Sequence, residues 1–278
     1  MPEGDTIFRA ARTLNRALAG QVVTRFETVL PQLSRIDQDD PIAGRTIESV
    51  EAQGKWMLMR FSGDLVLLTH MRMNGSWHIY RPGEAWQRGR HRMRILVQTA
   101  SFVAVGFDVP VAEFHDSASL ARHPSLTRLG PDVLAQEFHP QEAASRLRDM
   151  GDLAVGDALL RQSLIAGIGN VFKSEICFAC SVNPFRKVSS LSVAELLCLT
   201  TKAQEYLRAN VSDQSGNAIV TYTGFRRTTR RADPSARLWV YGRHNQPCRK
   251  CGTLVQSRKQ GEAARVTFWC PDCQPVLP

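Results

Sequence analysis

Four cysteines near the C-terminus constrain this chain most: Cys248-x2-Cys251, an 18-residue spacer, and Cys270-x2-Cys273. Each pair forms a knuckle that turns two sulfurs toward one ion, and two pairs at this separation match a four-thiolate zinc site. With all four positions filled by protein ligands, the single Zn2+ is structural and leaves no place for a catalytic water. The spacer, Gly252 to Trp269, reads as a β-hairpin turning near Gln260-Gly261, so a metal-stapled hairpin is expected over residues 241–278. A second pair, Cys177-x2-Cys180, lacks a partner pair and lies in helical sequence, which suits core packing better than redox work. Cys198 reads as an ordinary apolar helix position. An odd total of seven cysteines, four of them clustered, fits metal binding in a reducing compartment rather than a disulfide framework.

Charge points to the class of partner. The formal charge is +9, and residues 226–278 hold 11 Lys/Arg against 3 Asp/Glu, a local balance of +8. Such an end attracts a polyanion, although a solvated tail would show the same balance. No apolar run approaches the roughly 18 residues of a membrane span, and the start, MPEGDTIFRAARTLNRALAG, lacks a signal-peptide core. A soluble, cytoplasmic protein with no membrane partner is expected.

Periodicity divides the rest. Asp5 can cap a helix with apolar residues at Ile7, Ala10, Ala11, Leu14 and Leu18, and Gly20 can end it. From about Val22 to Phe114 short β-like runs alternate with turn signals such as Ser62-Gly63-Asp64 and Pro82-Gly83, which predicts an antiparallel sandwich or barrel. The β pattern stops around Leu129-Gly130-Pro131-Asp132, and helical spacing runs from Gln141 to Arg208. The expected class is α+β multidomain: an N-terminal β-sandwich with flanking helices over 1–130, a helical domain over 131–240 and the zinc-finger hairpin over 241–278.

Two further features bear on chemistry. An apolar helical run from about Ala158 to Ala166 leads into Gly167-Ile168-Gly169-Asn170, with Asn170 as N-cap of a second helix. The glycines would let an anion approach the N–H groups at that helix start, and Lys173 lies one turn on; the same turn could equally just join two packed helices. At the N-terminus, removal of Met1 would leave Pro2 with a free secondary amine. An α-amino group has a reference pKa near 8, against about 10.4 for lysine, so more of it is neutral and nucleophilic at pH 7. Such an amine attacking a sugar C1′ gives an iminium, and Glu3 beside it can move protons. Many chains nonetheless begin this way with no chemistry there.

Taken together, Pro2-Glu3-Gly4, Gly54-Lys55 ahead of a β-run, GIGN at 167–170, and VYGRHNQPCRKCG followed by RVTFWCPDC resemble the formamidopyrimidine-DNA glycosylase and endonuclease VIII family over essentially the whole chain. The resemblance implies a β-sandwich, a helix-two-turn-helix domain and a zinc finger. It also implies a bifunctional activity on double-stranded damaged DNA: excision of an oxidised base, then cleavage of the abasic strand by β- and δ-elimination. It makes Pro2 the Schiff-base nucleophile, Glu3 the acid/base, and Lys55 a lysine on phosphate near the lesion. Asn170 and Arg265 become the phosphate-gripping pair, positioning the sugar through contacts that carry no sequence information. Because the target nucleotide must be extruded, His70-Met71-Arg72-Met73-Asn74-Gly75 aligns with the loop that fills the gap. Met73 is then a candidate wedge and Arg72 a helper, with a core methionine as the competing reading of Met73.

Departures from the family pattern bear on lesion choice. The 8-oxoguanine branch carries Arg-Arg-Phe on a later loop, where this chain has Phe107-Asp108-Val109-Pro110-Val111-Ala112. The start PEGDT and the ending FWCPDCQ favour the endonuclease VIII branch, yet the glutamate four positions after its catalytic proline is Thr6 here. Neighbouring Asp5 is one substitute. The expectation is a monomeric enzyme of the bacterial cytosol and nucleoid, favouring oxidised pyrimidines and abasic sites over oxidised purines. The Arg-rich stretch 225–231 is read as a source of nonspecific phosphate attraction. The alternative is a noncatalytic zinc-finger protein that binds damaged or structured DNA.

Overall fold

The computed structural model describes residues 2–211, 228–229 and 237–276. The chain divides between Thr127 and Arg128 into two compact units.

The first unit opens with helix α1 (Gly4–Leu18), whose face of Ile7, Ala10, Ala11, Leu14 and Leu18 is buried as its spacing predicts. Asp5 does not cap it. Glu3 holds the N-cap backbone position with no side-chain cap bond, and Asp5 lies inside the first turn, buried and paired with Arg9 at 3.4 Å. Gly20, at φ +78°, turns the chain out of the helix as expected. Asn15 Oδ1 accepts the Val50 N–H at 2.7 Å, so α1 also satisfies an amide of the second strand.

Eight strands form two antiparallel four-stranded sheets. One has the order β1 (Val23–Thr28), β6 (Met93–Thr99), β7 (Val103–Phe107), β5 (Ser76–Tyr80); the other runs β2 (Ile47–Gln53), β3 (Trp56–Phe61), β4 (Leu65–His70), β8 (Val111–His115). Phe61, Leu67, Trp77, Ile95 and Val97 belong to the one apolar cluster that α1 also joins, which makes the fold the sandwich rather than the barrel. Helix α2 (Pro31–Asp39) interrupts the β stretch where no helix is expected; it buries only Leu33, too little apolar pattern to show in the sequence. Beyond β8 come two short helices, α3 (Ser117–Ala121) and α4 (Pro124–Thr127).

The second unit packs α5 (Pro140–Arg148), α6 (Val155–Ala158), α7 (Asn170–Ala179) and α8 (Val193–Val211) around Leu147, Ile168, Phe172, Leu199 and Leu207. The expected helix over 158–166 is not regular. Residues there are drawn toward 130–133: Gly130 N–H donates to Gln162 O at 2.9 Å and Ala166 N–H to Pro131 O at 2.9 Å. Gly130 is required, because a Cβ would lie 2.5 Å from the Leu164 carbonyl. Cys180 and Cys198 are joined as a disulfide between the C-cap of α7 and helix α8, which corrects the reading of both as packing residues. Their pairing depends on how two helices lie together, since the cysteines are 18 residues apart in sequence. Cys177 is the core thiol expected of it, pushed up to about 12 by burial.

The cysteine module completes this unit with β9 (Gln256–Gln260) and β10 (Arg265–Trp269), an antiparallel hairpin in which Gln260 faces Arg265. Its entry is held by Glu175, wholly buried in α7, which accepts N–H bonds from Trp239, Val240 and Tyr241 at 2.8–2.9 Å and a hydroxyl bond from Thr228. Burial pushes its carboxyl up, and the bonds from Thr228 and the three amides oppose that shift. Each such amide left unpaired would cost about 1–3 kcal/mol, so Glu175 fixes how the chain enters the module.

Candidate functional site

In the first unit, Pro2 lies at the rim of a cleft of about 380 Å3 lined also by Thr6, Met73, Asn74, Gly75, Arg88 and Arg92. A second cleft, about 430 Å3, shares Met73, Asn74 and Arg92 and adds Arg72, Arg94, Asp108 and Pro110. Glu3 follows Pro2 as a wholly buried side chain, and its carbonyl accepts the Thr6 and Ile7 amides at 2.9 and 3.1 Å. Pro2 and Glu3 therefore sit at the positive end of α1, where a carboxylate is favoured. Thr6, in place of the family glutamate, faces the cleft, whereas Asp5 is turned to Arg9 and Thr6 rather than lining it.

The loop between β4 and β5 separates its two methionines. Met71 is buried, while Met73 is 51% exposed at the tip. The loop is tight: Gly75 N–H donates to Met71 O at 2.9 Å, Arg72 has φ +48°, and the Arg72 N–H donates to His70 Nδ1 at 3.0 Å. A Cβ on Gly75 would lie 2.6 Å from Met71 O, so glycine is needed there. The core position at the end of LVLLTHM is thus taken by Met71, which leaves Met73 as an exposed apolar side chain beside Pro2.

Lys55 occupies the second position of the two-residue turn between β2 and β3, after Gly54 at φ +59°. Glycine with positive φ at the first turn position suits a tight hairpin and holds the lysine at the strand start. Burial, with the charges of Arg72 and Lys55, pushes His70 down to about 4, so it is neutral at pH 7 and adds no positive charge beside them. His78 is also held at about 4 by burial and by Arg88. A histidine with an unfolded pKa near 6.5 and a folded value near 4 stabilises the fold fully above 6.5 and loses that contribution as pH falls toward 4. Denaturant midpoints should therefore decline between pH 6.5 and 4, and His70→Asn with His78→Asn should flatten that slope; an unchanged slope in the double variant would remove both histidines from the account.

Arg88 and Arg92 belong to no motif of the sequence, yet both line the Pro2 cleft. Arg88 donates to Asp108 at 3.2 Å and Arg92 Nε at 2.8 Å, and the Arg92 hydrogen bond holds the Asp108 carboxyl below its usual range. Asp108 orients two arginines from another loop that line the Pro2 cleft. The available signal was four arginines in seven residues, Arg88-Gly-Arg90-His-Arg92-Met-Arg94.

In the second unit, Gly169 rather than Asn170 is the N-cap of α7; Asn170 is its first residue. Its side chain turns away from capping because Nδ2 donates to Val266 O at 2.8 Å, next to Arg265. Asn170 Oδ1 is buried with no hydrogen-bond partner among the described residues. Gln162 shapes the glycine turn, accepting the Gly167 N–H at 3.0 Å and donating to Ile168 O at 3.1 Å. Asn170 is thereby hydrogen-bonded to the strand that carries Arg265. Lys173 does not join them. It is wholly buried, and its Nζ donates to Thr267 Oγ1, which donates to Gln260 Oε1 at 2.7 Å. Lys173 braces α7 against the hairpin and cannot reach DNA. The Arg-rich stretch lies outside the described residues except for Thr228 and Thr229.

The four sulfurs of Cys248, Cys251, Cys270 and Cys273 lie within 4.8 Å of one another. Cys251 and Cys270 are 3.4 Å apart, and Cys248 and Cys273 3.9 Å. Zinc–sulfur bonds of about 2.3 Å at tetrahedral angles separate sulfurs by roughly 3.8 Å, so the residues fit such an ion. Arg258 stacks on Phe185, 3.9 Å from its centroid, with Lys259 exposed beside it.

These features have close counterparts. Residues 1–117 match the formamidopyrimidine-DNA glycosylase N-terminal domain, 129–221 its H2TH domain, and 245–276 the zinc finger found in FPG and IleRS. The chain is 39% identical over 277 residues to "Probable endonuclease 8 2" of Streptomyces coelicolor, covering 99% of this chain and 94% of that protein. It is 36% identical over 274 residues to "DNA-(apurinic or apyrimidinic site) lyase Nei2" of Mycolicibacterium smegmatis, covering 99% of each. Its fold matches Lactococcus lactis Fpg, solved with abasic-site DNA, at a TM-score of 0.82 and 21% identity, covering 99% of this chain and 100% of that one. With three domain models in order and relatives matched along their full length, the chain belongs to the formamidopyrimidine-DNA glycosylase and endonuclease VIII family of DNA-repair glycosylases and abasic-site lyases.

Proposed function

We propose that this enzyme removes oxidised bases from duplex DNA, pyrimidines ahead of purines, and cleaves the resulting strand through an imine on Pro2. The observation that carries the reading is Pro2 at the rim of a cleft that also holds the exposed Met73 and two arginines. After Met1 is removed, the Pro2 nitrogen lone pair attacks C1′, and the damaged base leaves with a proton. Ring opening gives an iminium between Pro2 and C1′. Loss of a C2′ proton then expels the 3′ phosphate, and a second elimination expels the 5′ phosphate, leaving a one-nucleotide gap. Glu3 is the group adjacent to this chemistry that can take and return protons. Met73 fills the space of the extruded nucleotide, with Arg72 beside it, and Lys55 neutralises phosphate.

The cysteine module holds one structural Zn2+, whose role is to fix the hairpin that carries Arg265. Preference for pyrimidines rests on the resemblance to the endonuclease VIII branch and on residues 107–112, which lack the Arg-Arg-Phe of the 8-oxoguanine branch. Lactococcus lactis Fpg, with the same fold, has also been solved with DNA containing an oxidised pyrimidine. The enzyme works as a monomer in the bacterial cytoplasm.

Borohydride reduction during reaction with duplex DNA carrying an abasic site or an oxidised pyrimidine should trap a covalent adduct that maps to Pro2. An adduct on a lysine, or none from protein lacking Met1, would overturn the imine reading. Separately, Arg265→Ala removes one charge-assisted phosphate contact worth about 1.5–3 kcal/mol, so affinity for abasic duplex should fall by roughly ten- to a hundredfold with the fold intact. Unchanged binding would take Arg265 out of the interface.

A further inference from the structure

A second set of metal-type donors lies in the first unit, apart from the cysteines and from the residues assigned to catalysis. Glu113 and His115 are two positions apart on β8, so strand alternation puts both side chains on one face. His123, in the short link between α3 and α4, reaches the same carboxylate. Glu113 Oε2 is 2.9 Å from His115 Nε2 and 3.3 Å from His123 Nε2, and one donor atom from each residue lies within 4.8 Å of the other two. An ion with bonds of about 2.0–2.1 Å to imidazole and carboxylate in tetrahedral geometry spaces its donors by roughly 3.3 Å. The His123–Glu113 separation equals that spacing, and the His115–Glu113 contact, a hydrogen bond, is about 0.4 Å shorter.

The donors are held in place from several directions. His123 packs edge-on against Trp56 at 5.3 Å and against His115 at 5.3 Å. Its carbonyl accepts the Leu126 and Thr127 amides, each at 3.0 Å. The turn between His115 and α3 is set by Asp116, whose carboxylate accepts the Ser119 N–H at 2.7 Å in a capping box. The His115 and His123 side chains are 17% and 10% exposed, while Glu113 at 43% opens the group to solvent. Ordering such donors costs little further entropy on binding, and an ion has a route in.

We propose that Glu113, His115 and His123 bind a second divalent transition ion, of the zinc class, with a solvent molecule in the fourth position. Two imidazoles and one carboxylate favour zinc, cobalt, nickel or copper over the hard magnesium and calcium ions, which take oxygen donors. The ion ties the outer strand β8 to the link between α3 and α4. Through the Trp56 ring it also braces the start of β3, next to Lys55.

The test uses the full-length protein with its cysteine module loaded, dialysed against excess Zn2+ and counted by elemental analysis. Two zinc ions per chain are expected for the wild type, with the second bound at least about tenfold more weakly in His115→Asn and in Glu113→Gln. Co2+ added to protein holding zinc in the cysteine module alone should give a visible d–d band without sulfur-to-cobalt charge transfer, and the band should be lost in His115→Asn at the same Co2+ concentration. Both variants change partly exposed side chains, and equal melting temperatures of all three proteins without added metal would show that the fold is kept. One zinc at saturation in the wild type, or a second zinc retained equally by both variants, would overturn the proposal.

Discussion

Glu3→Gln is expected to slow base release and strand cleavage by roughly 10²–10⁴-fold, the usual contribution of a positioned acid/base, while affinity for abasic duplex stays unchanged. The two side chains have nearly the same shape, so the start of α1 should survive: the Glu3 carbonyl still accepts the Thr6 and Ile7 amides. What the amide lacks is the ability to take and return a proton. Glu3 is wholly buried at the helix start and follows directly on Pro2, so bulk water is a poor substitute there. Single-turnover rates on an oxidised-pyrimidine duplex and on a preformed abasic site would separate base release from elimination. A wild-type rate on both substrates would give the proton work to another group, with the buried Asp5 two residues on as the first to examine.

Removing the metal from the cysteine module should have the other large effect. Binding of a structural zinc contributes on the order of 10–16 kcal/mol, which rivals the roughly 5–15 kcal/mol that holds a whole domain together. The hairpin of β9 and β10 offers few other anchors of that size: Cys270 and Gln274 are buried, and Gln274 Nε2 donates to Val182 O at 2.8 Å. Chelation, or Cys270→Ala, should therefore loosen the hairpin and release the Val266 carbonyl from Asn170. DNA affinity should drop at least as far as in Arg265→Ala, and re-addition of zinc should restore the chelated protein but not the variant. Zinc-free protein that keeps the hairpin amides protected from exchange and binds DNA normally would contradict the structural role.

Much of this was readable residue by residue. Runs dense in apolar residues located β3 to β7, which bury most of their side chains, whereas β8 and α2 escaped because each buries a single residue. The spacing of the four cysteines specified their own cluster, since each knuckle is a local turn. Lys173 could not be read in this way. In sequence it is a cation one turn beyond a glycine-rich helix start; in the fold it is sealed against Thr267, 94 residues on. Asn170 shows the same limit, because its strong local capping tendency yields to a backbone carbonyl supplied by the hairpin. Arg88 and Arg92 became site residues only when Asp108, held at φ +49°, drew them over the cleft.

The amino-acid sequence alone determined the succession of a β-rich part, a helical part and the two-pair cysteine module, the family, and an N-terminal proline followed by glutamate. All of these depend on interactions between near neighbours or on motifs carried whole. The tertiary structure decided which Met of the β4–β5 loop is exposed, that Lys173 is internal, that Cys180 meets Cys198, and that Glu113, His115 and His123 converge. Those outcomes turn on burial and on pairings between elements. A side chain's local pattern carries no record of what the rest of the chain will place against it.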